Sequence, residues 1–156
     1  MGSVDEFQQI IKTVTDEIGS RPLDASLQAR LQQAFPYDGE TCQRILAACK
    51  SGINDGWMCK YEHGGLRYGR VIKPLDALNG YSVDVVDMHD MAGPQHCHPM
   101  GEIDLIMPLD STAKFDGQAA GWLVYGPDTV HSPTVSGGRA LVLYLLPQGQ
   151  IRFTEE

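Results

Sequence analysis

The first third of the chain repeats its apolar residues at the spacing of amphipathic helices. The first segment places five apolar residues on one helical face and ends at a glycine: Phe7, Ile10, Ile11, Val14, Ile18 and Gly19. A second helix is predicted from Asp24, as N-cap, to Pro36, which cannot continue it. A third is predicted from about Gly39 to Gly52, read as a left-handed stop. The pattern therefore predicts three helices within residues 1–55.

From Trp57 onward the apolar pattern changes to a period of two. Short runs rich in β-branched and aromatic residues alternate with Gly, Pro, Asp and Asn, which is typical of a sandwich or barrel. The runs are LRYGRVIK, YSVDVVDMHD, EIDLIMPL, GWLVYG and RALVLYLL. No repeat or low-complexity linker separates the two parts. The sequence predicts a single mainly β domain over 1–156, in which a helical layer (1–55) packs on the outside of a β-barrel (57–156).

Composition narrows the possible partners and location. The 156 residues are 42% apolar and 21% charged, as in folded globular proteins. Twenty acidic residues against 12 basic ones give a net charge of −8, and such a field repels nucleic-acid phosphates and anionic lipids. The sequence shows neither an apolar run of the ~20 residues that a bilayer requires nor a secretory signal pattern. Four cysteines without CxxC spacing complete the expectation of a cytoplasmic protein with reduced thiols, without nucleic-acid or membrane partners.

The segment GPQHCHPMGE carries the chemistry. His96 and His98 are two residues apart, so in a strand both point to the same face. A Pro–Gly bend then allows Glu102 to return to the same point, and a later Gly-Pro turn delivers His131. An isolated HxH pair means little, but this joint pattern suits a catalytic Zn, Mn, Fe or Ni ion with open coordination positions. We predict one divalent metal ion per chain (Fe, Mn or Zn) held by these four residues.

The same residues resemble the two motifs of the cupin superfamily. The HxH-x3-Glu of the first motif matches His96, His98 and Glu102, and the histidine of the second matches His131 after the Gly126-Pro127 turn. The resemblance implies a jelly-roll β-barrel with the metal inside. Single-domain cupins often pair, which is the basis for expecting a homodimer.

Nearly the whole chain is further similar to the bacterial 4-hydroxylaminobenzoate lyases. The similarity is carried by QHCHPMGEIDLIMPLD and GWLVYGPDTVHSPTVSGGRALVLYLLPQGQI, behind a helical N-terminus. It implies a metal-dependent lyase that converts 4-hydroxylaminobenzoate to protocatechuate (3,4-dihydroxybenzoate) and releases ammonia during nitrobenzoate breakdown, a branch of aromatic hydrocarbon catabolism. The residues by themselves indicate only a metal-dependent enzyme acting on a small molecule.

Two other functions fit the same motifs. One is a non-haem iron cupin dioxygenase or isomerase acting on another small aromatic compound. The other is a metal-free cupin that binds a small molecule, as a sensor or carrier. Metal content distinguishes the metal-free binder from the lyase. Oxygen uptake distinguishes a dioxygenase from the lyase.

The aromatic carboxylate that the resemblance implies calls for a cation, and the planar fork of arginine suits it. Tyr68 and Arg70 share one face of LRYGRVIK. If that face points inward, Arg70 meets the carboxylate and Tyr68 contacts the ring, with Arg139 as the rival cation; otherwise Arg70 is a solvated surface charge. Tyr144, within ALVLYLL, either packs in the core or forms part of the substrate-binding wall. Glu102 is either a firm metal ligand or a loosely held one that serves as the catalytic general base.

Five further residues have simpler interpretations. Asp87 and Asp104 either orient the ligand imidazoles or lie on a solvated strand face. Cys97 alternates away from the metal and is expected to pack rather than to ligate or react. His63 and His89 fall outside the motif spacing and are expected to be structural or exposed.

Overall fold

Three helices precede ten strands in the computed structural model, which describes residues 3–154. The helices are α1 (Val4–Ile18), α2 (Ala25–Ala34) and α3 (Glu40–Asp55). The strands are β1 (Tyr61–His63), β2 (Leu66–Ile72), β3 (Tyr81–Ala92), β4 (His96–His98), β5 (Glu102–Pro108), β6 (Lys114–Phe115), β7 (Gly121–Tyr125), β8 (Thr129–His131), β9 (Thr134–Pro147) and β10 (Arg152–Phe153). No helix within 3–154 combines the length and the apolar character needed to cross a bilayer. The predicted change from helices to strands is confirmed.

The first two helices begin at side chains that cap free backbone amides. Ser3 accepts a hydrogen bond from the amide of Glu6, whose carboxylate accepts one from the Ser3 amide. This reciprocal capping box satisfies two donors that a helix start leaves unpaired. Asp24, the predicted cap, accepts from the amide of Leu27 at 3.0 Å. The predicted apolar face of α1 is buried: Phe7, Ile10, Ile11, Val14 and Ile18.

The predicted end of α3 at Gly52 is wrong. The helix continues to Asp55 and ends at Gly56, which has the left-handed φ of 86°. A side chain at position 52 would place its Cβ 2.8 Å from Met58 Cγ, so glycine is needed there for close packing and not for a turn. Gly56, and not Gly52, therefore provides the left-handed stop, and Gly52 serves the packing of Met58 against the helix.

The strands form two antiparallel sheets. The larger has the order β1-β2-β3-β9-β5-β7, with β6 also paired to β9, and the smaller has the order β10-β4-β8. This confirms the predicted mainly β jelly-roll with helices outside, although the two sheets face one another and do not close into one hydrogen-bonded barrel. Proline borders β4 and β8 at Pro94, Pro99 and Pro133. Because proline lacks an amide donor, each of these residues removes one backbone donor at a strand end.

Alternating residues of the larger sheet face two different apolar clusters. One face packs against the helices through residues that include Val83, Val85, Leu105 and Leu143. The opposite face carries Val86, Ile106, Val142 and Tyr144. Since side chains alternate along a strand, the second face also receives Glu102 and Asp104 from β5.

The edge strand β7 is covered by side chains of α2. The Gln32 amide accepts from the Trp122 backbone amide at 3.0 Å and donates to the Trp122 carbonyl at 3.1 Å. Gln28 accepts from the amide of Val124 at 2.9 Å, and the Trp122 indole donates to the Phe35 carbonyl. These amides replace the hydrogen bonds that another strand would make, and they hold the helical layer on the sheet.

Candidate metal and substrate site

Four side chains from both sheets meet at one point. His96 and His98 extend from β4, and His131 ends β8, where its backbone pairs with that of His96. Glu102 begins β5 of the larger sheet. The side chains of His96, His98 and Glu102 are at most 3% exposed, and that of His131 is 11% exposed. The structure thus brings together all four residues that the sequence predicted as metal ligands.

The spacing of the ligand atoms suits a single ion. His96 Nε2 lies 2.9 Å from His98 Nε2 and 3.2 Å from His131 Nε2. Glu102 Oε1 lies 2.9 Å from His98 Nε2 and 3.8 Å from His96 Nε2. All four ligand atoms fall within 4.8 Å of one another. Ligands bonded to one ion at about 2.1 Å stand roughly 3 to 4 Å apart, so a small adjustment accommodates the ion.

The partners of His96 and His98 fix which ring nitrogen carries the proton. His96 Nδ1 lies 3.2 Å from the Pro94 carbonyl, which can only accept, so Nδ1 is the donor. His98 Nδ1 lies 2.9 Å from Thr129 Oγ1. The Thr129 hydroxyl donates its own hydrogen to the Gly126 carbonyl, and it must therefore accept from His98. In both rings the proton is on Nδ1 and the lone pair is on Nε2.

His131 is fixed in the same way by a carboxylate. Its Nδ1 donates to Asp116 Oδ2 at 2.6 Å, and Asp116 also accepts from the Tyr125 hydroxyl and the Thr134 amide. Burial opposes ionisation of Asp116, but these hydrogen bonds outweigh it and lower its pKa. Burial and the hydrogen bond to Asp116 raise the pKa of Tyr125, which remains a donor. The motif spacing gave no signal for Asp116, because a turn after β6 brings it to His131.

Three imidazole lone pairs therefore point at one another. Without a proton between them, nitrogens 2.9 and 3.2 Å apart repel, and the carboxylate oxygens of Glu102 have no hydrogen-bond partner among the described residues. A divalent cation among these atoms converts the repulsion into coordination. The donor set of three imidazoles and one carboxylate fits such an ion, and each imidazole already has the outer partner that metal-bound histidines use.

Two carboxyl groups lie side by side on the inward face of β5. Glu102 and Asp104 are fully buried. Burial works to raise the pKa of Glu102, whereas the proton that Asp104 keeps beside it works to lower that pKa. Burial and the neighbouring charge of Glu102 both raise the pKa of Asp104 well above its usual value. Glu102 is therefore the anion of the pair, as a metal ligand must be.

A cavity of about 320 Å³ opens beside His96. All three residues predicted to bind substrate lie in its wall: Tyr68, Arg70 and Tyr144. The rest of the wall is formed by His63, Leu66, Gly69, Asp84, Val86, Met88, Gly93, Pro94, His96, Pro133, Ile151 and Phe153. The space is sufficient for a small aromatic molecule, and most of the wall is apolar.

Arg70 in this wall is already paired. Its Nε donates to Asp84 Oδ1 at 2.8 Å, and its Nη2 lies 3.4 Å from Asp84 Oδ2 and 3.2 Å from the Gly149 carbonyl. Of its donors only Nη1 has no hydrogen bond among the described residues. The expected two-pronged grip on a ligand carboxylate is therefore unavailable on the Nε side, because Asp84 occupies it.

Tyr144 lies deeper in the same wall and is 5% exposed. Burial, followed by the charge of Glu102, raises its pKa well above the usual value, so the phenol is neutral. Its hydroxyl forms no hydrogen bond within residues 3–154. Tyr68 is 39% exposed and packs against Tyr61 with ring centroids 5.8 Å apart, so it stands nearer the mouth.

The rival cation Arg139 lies outside the cavity, and neither Asp87 nor Asp104 lies on a solvated strand face. Arg139 pairs with Asp87 through contacts of 2.8 and 2.7 Å and takes no part in the cavity wall. Asp87 is 5% exposed and binds arginine, so it neither orients an imidazole nor lies on a solvated face. Asp104 is buried beside Glu102, which also excludes a solvated face.

The remaining sequence predictions concern one cysteine and two histidines. Cys97 is buried and its backbone pairs with Val130, on the face of β4 opposite the metal ligands. His89 is exposed beside Asp90. His63 is exposed as well, but it lies at the cavity wall. The packing of Cys97 and the exposure of both histidines are confirmed.

Removing one ligand imidazole should abolish metal binding. His96→Ala and His98→Ala each delete a lone pair that no neighbouring residue can replace. We expect about one divalent ion per wild-type chain and almost none in either variant, measured by elemental analysis after purification in metal-supplemented buffer. His89→Ala, which removes an exposed imidazole, is the matched control and should keep wild-type content. Full metal content in both ligand variants would contradict the site.

Asp116 should act through His131 on metal affinity. Asp116→Ala frees the imidazole to rotate and to change tautomer, and loss of such a partner lowers metal affinity by about 10- to 100-fold. Tyr125→Phe removes only one of the hydrogen bonds to Asp116 and should have a smaller effect in the same direction. Competition of each variant with a chelator for Zn²⁺ measures the change. Equal zinc affinity in wild type and Asp116→Ala would show that the contact does not orient His131.

The sequence matches known proteins over most of its length. The family described as PnbB, 4-hydroxylaminobenzoate lyase, matches residues 9–153. A 4-hydroxylaminobenzoate lyase of Nocardioides sp. (strain LMS-CY) is 31% identical in an alignment of 147 positions that covers 88% of this chain and 87% of that protein. A 4-hydroxylaminobenzoate lyase of Pseudomonas putida is 27% identical in an alignment of 170 positions that covers 98% of this chain and 97% of that protein.

Solved structures match a smaller part of the chain, at lower sequence identity. A double-stranded β-helix protein of Klebsiella pneumoniae has a TM-score of 0.47 and 19% identity, and the match covers 65% of this chain and 94% of that chain. A cupin-like protein of Thermotoga maritima has a TM-score of 0.47 and 13% identity, with 60% and 79% covered. The family assignment depends instead on the match over residues 9–153 and on the Nocardioides relative. The chain belongs to the 4-hydroxylaminobenzoate lyase family and is an enzyme of the lyase class.

Proposed function

We propose that this lyase converts 4-hydroxylaminobenzoate and water into protocatechuate and ammonia, with one divalent metal ion held by His96, His98, Glu102 and His131. The names of its relatives supply the substrate. The observation that carries the metal is the convergence of three Nε2 lone pairs and an unpartnered carboxylate beside a cavity. The place in nitrobenzoate breakdown, the cytoplasmic location and the homodimer remain predictions from the sequence.

The reaction balances without an external oxidant. The N–O bond breaks and its oxygen leaves as water after taking a proton. A water molecule then adds to the ring carbon next to the C–N bond, and hydrolysis of the resulting C=N bond releases ammonia. Transfer of a ring proton to the carbonyl oxygen that this hydrolysis leaves restores aromaticity and gives the catechol. The ring is oxidised while the nitrogen is reduced. Two waters enter and one leaves, so one water is consumed overall.

A divalent ion in this site would polarise the N–OH oxygen as a Lewis acid or lower the pKa of a bound water. The neutral Tyr144 hydroxyl in the cavity wall would donate a hydrogen bond to a substrate oxygen. Glu102 is the nearest anion and would accept a proton when it is not fully engaged as a ligand. The apolar part of the wall restricts bulk water at the reacting ring.

Arg70 is the cation that we assign to the substrate carboxylate. It lies in the cavity wall, whereas Arg139 does not. Asp84 holds the guanidinium in place through Nε and Nη2, and Nη1 is left to meet a ligand. Arg70 and His96 line the same cavity, so one flat ring would contact both.

Turnover should require neither oxygen nor nicotinamide. Under anaerobic conditions, the metal-loaded enzyme should release one ammonia for each protocatechuate formed, because the ring and the nitrogen exchange electrons internally. Ammonia is measured by a coupled assay and protocatechuate by chromatography. Strict dependence on oxygen would identify a dioxygenase, and binding without any turnover would identify a small-molecule binder.

Loss of the Arg70 side chain should weaken substrate binding. Arg70→Ala should raise KM by about ten- to a hundred-fold, the loss expected for a hydrogen bond to a charged group, while metal content stays unchanged. Arg70→Lys should recover only part of the loss, since a point charge does not reproduce the guanidinium geometry. Steady-state kinetics of each variant give the result.

Two controls isolate the substrate contact. Arg70→Ala leaves Asp84 unpaired in the cavity wall, where its charge repels a carboxylate. The double variant Arg70→Ala/Asp84→Ala removes that charge and should still show a raised KM. Arg139→Ala breaks a comparable ion pair outside the cavity and should leave KM unchanged. Recovery of wild-type KM in the double variant would show that Arg70 only neutralises Asp84.

A further inference from the structure

The last strand presents a large aromatic side chain that the fold does not bury. Phe153 is 61% exposed. In the β10–β4 pairing it lies opposite His96, so both side chains are on the same face of the smaller sheet. Its ring centroid is 5.7 Å from that of His96, with an angle of 72° between the planes. Phe153 and Ile151 form one wall of the cavity.

The same sheet exposes one more large apolar residue, on its other side. Val130 is 52% exposed and pairs with Cys97, whose side chain alternates away from His96. Val130 is not part of the cavity wall. Exposed apolar surface is hydrated at a free-energy cost, and an exposed aromatic ring at a cavity marks a place that a ligand covers. Only Phe153 meets that condition on this sheet.

Phe153 is held in position on both sides. The Arg152 backbone pairs with that of Cys97. Thr154 donates from its amide to the Gln95 carbonyl at 3.1 Å and from its hydroxyl to Gln95 Oε1 at 2.7 Å. The backbone on either side of Phe153 is therefore hydrogen-bonded to β4 and to Gln95, the residue before β4. These contacts place the Phe153 side chain beside His96.

We propose that Phe153 is a specificity-determining residue that covers the aromatic ring of the substrate beside His96 and selects planar aromatic acids over non-planar ones of similar size. The inference builds on the proposed function, because it takes the substrate to be an aromatic acid. Phe153 supplies an aromatic contact, in which edge-to-face or offset geometry favours a flat ring. Aliphatic residues such as Leu66 and Val86 line the rest of the cavity and accept either shape.

Ligand preference tests this role. The metal-loaded enzyme is titrated with benzoate and with cyclohexanecarboxylate, which share a carboxylate and a six-membered ring but differ in planarity. Wild type should bind the aromatic acid more tightly, and Phe153→Ala should reduce that preference by about ten-fold. Phe153→Leu should behave like Phe153→Ala in preference while regaining part of the affinity for both acids. Val130→Ala removes comparable exposed apolar surface outside the cavity and should change neither.

Kinetics and metal content complete the test. Phe153→Ala should raise KM for 4-hydroxylaminobenzoate about ten-fold with little change in kcat, and it should retain one metal ion per chain. An unchanged preference in Phe153→Ala, including an equal loss of affinity for both acids, would overturn the proposal. If wild type fails to turn over 4-hydroxylaminobenzoate, the proposed function fails, but the two-ligand titration still decides the role of Phe153.

Discussion

The site depends on three hydrogen bonds that lie outside it. A carbonyl, a hydroxyl and a carboxylate each bind the Nδ1 proton of one histidine, at Pro94, Thr129 and Asp116. Each bond turns the lone pair of the opposite nitrogen toward a common point. The arrangement is electrostatically unfavourable by itself and becomes favourable around a cation, which is why it indicates a metal site more strongly than the presence of histidines does.

The cluster of four candidate ligands also connects the two sheets. His96, His98 and His131 belong to the smaller sheet, and Glu102 belongs to the larger. The two sheets share no hydrogen-bonded strand pair, so contacts between side chains, such as His98 with Glu102, connect them here. A bound ion would bridge them and add its binding free energy to the stability of the fold. The cavity lies beside this junction and receives walls from both sheets.

The sequence predicted what depends on local geometry. The period of two placed His96 and His98 on one face and Cys97 on the other, and it placed Tyr68 with Arg70. These predictions hold because alternation is a property of any strand. The helical N-terminus and the main strands follow from apolar periodicity in the same way.

Features that depend on contacts distant in sequence were not predicted. Asp116 reaches His131 through a turn, and Phe153 reaches His96 through the pairing of the last strand with β4. No motif marks either residue. The choice between Arg70 and Arg139 also depended on which face of the sheet meets the cavity, which only the assembled sheets determine. Gly52 was interpreted wrongly for the same reason. Its contact with Met58 requires glycine for packing, but from the sequence it was interpreted as a helix stop.

The tautomers of the five histidines show whether three imidazoles present their Nε2 lone pairs to one ion. Long-range ¹⁵N–¹H spectra of the metal-free protein should show His96, His98 and His131 protonated at Nδ1. One equivalent of Zn²⁺, used as a diamagnetic probe, should then shift the Nε2 resonances of these three. The exposed His63 and His89 serve as internal controls and should not shift. Protons on Nε2 in the metal-free protein, or zinc that leaves these nitrogens unshifted, would contradict the account.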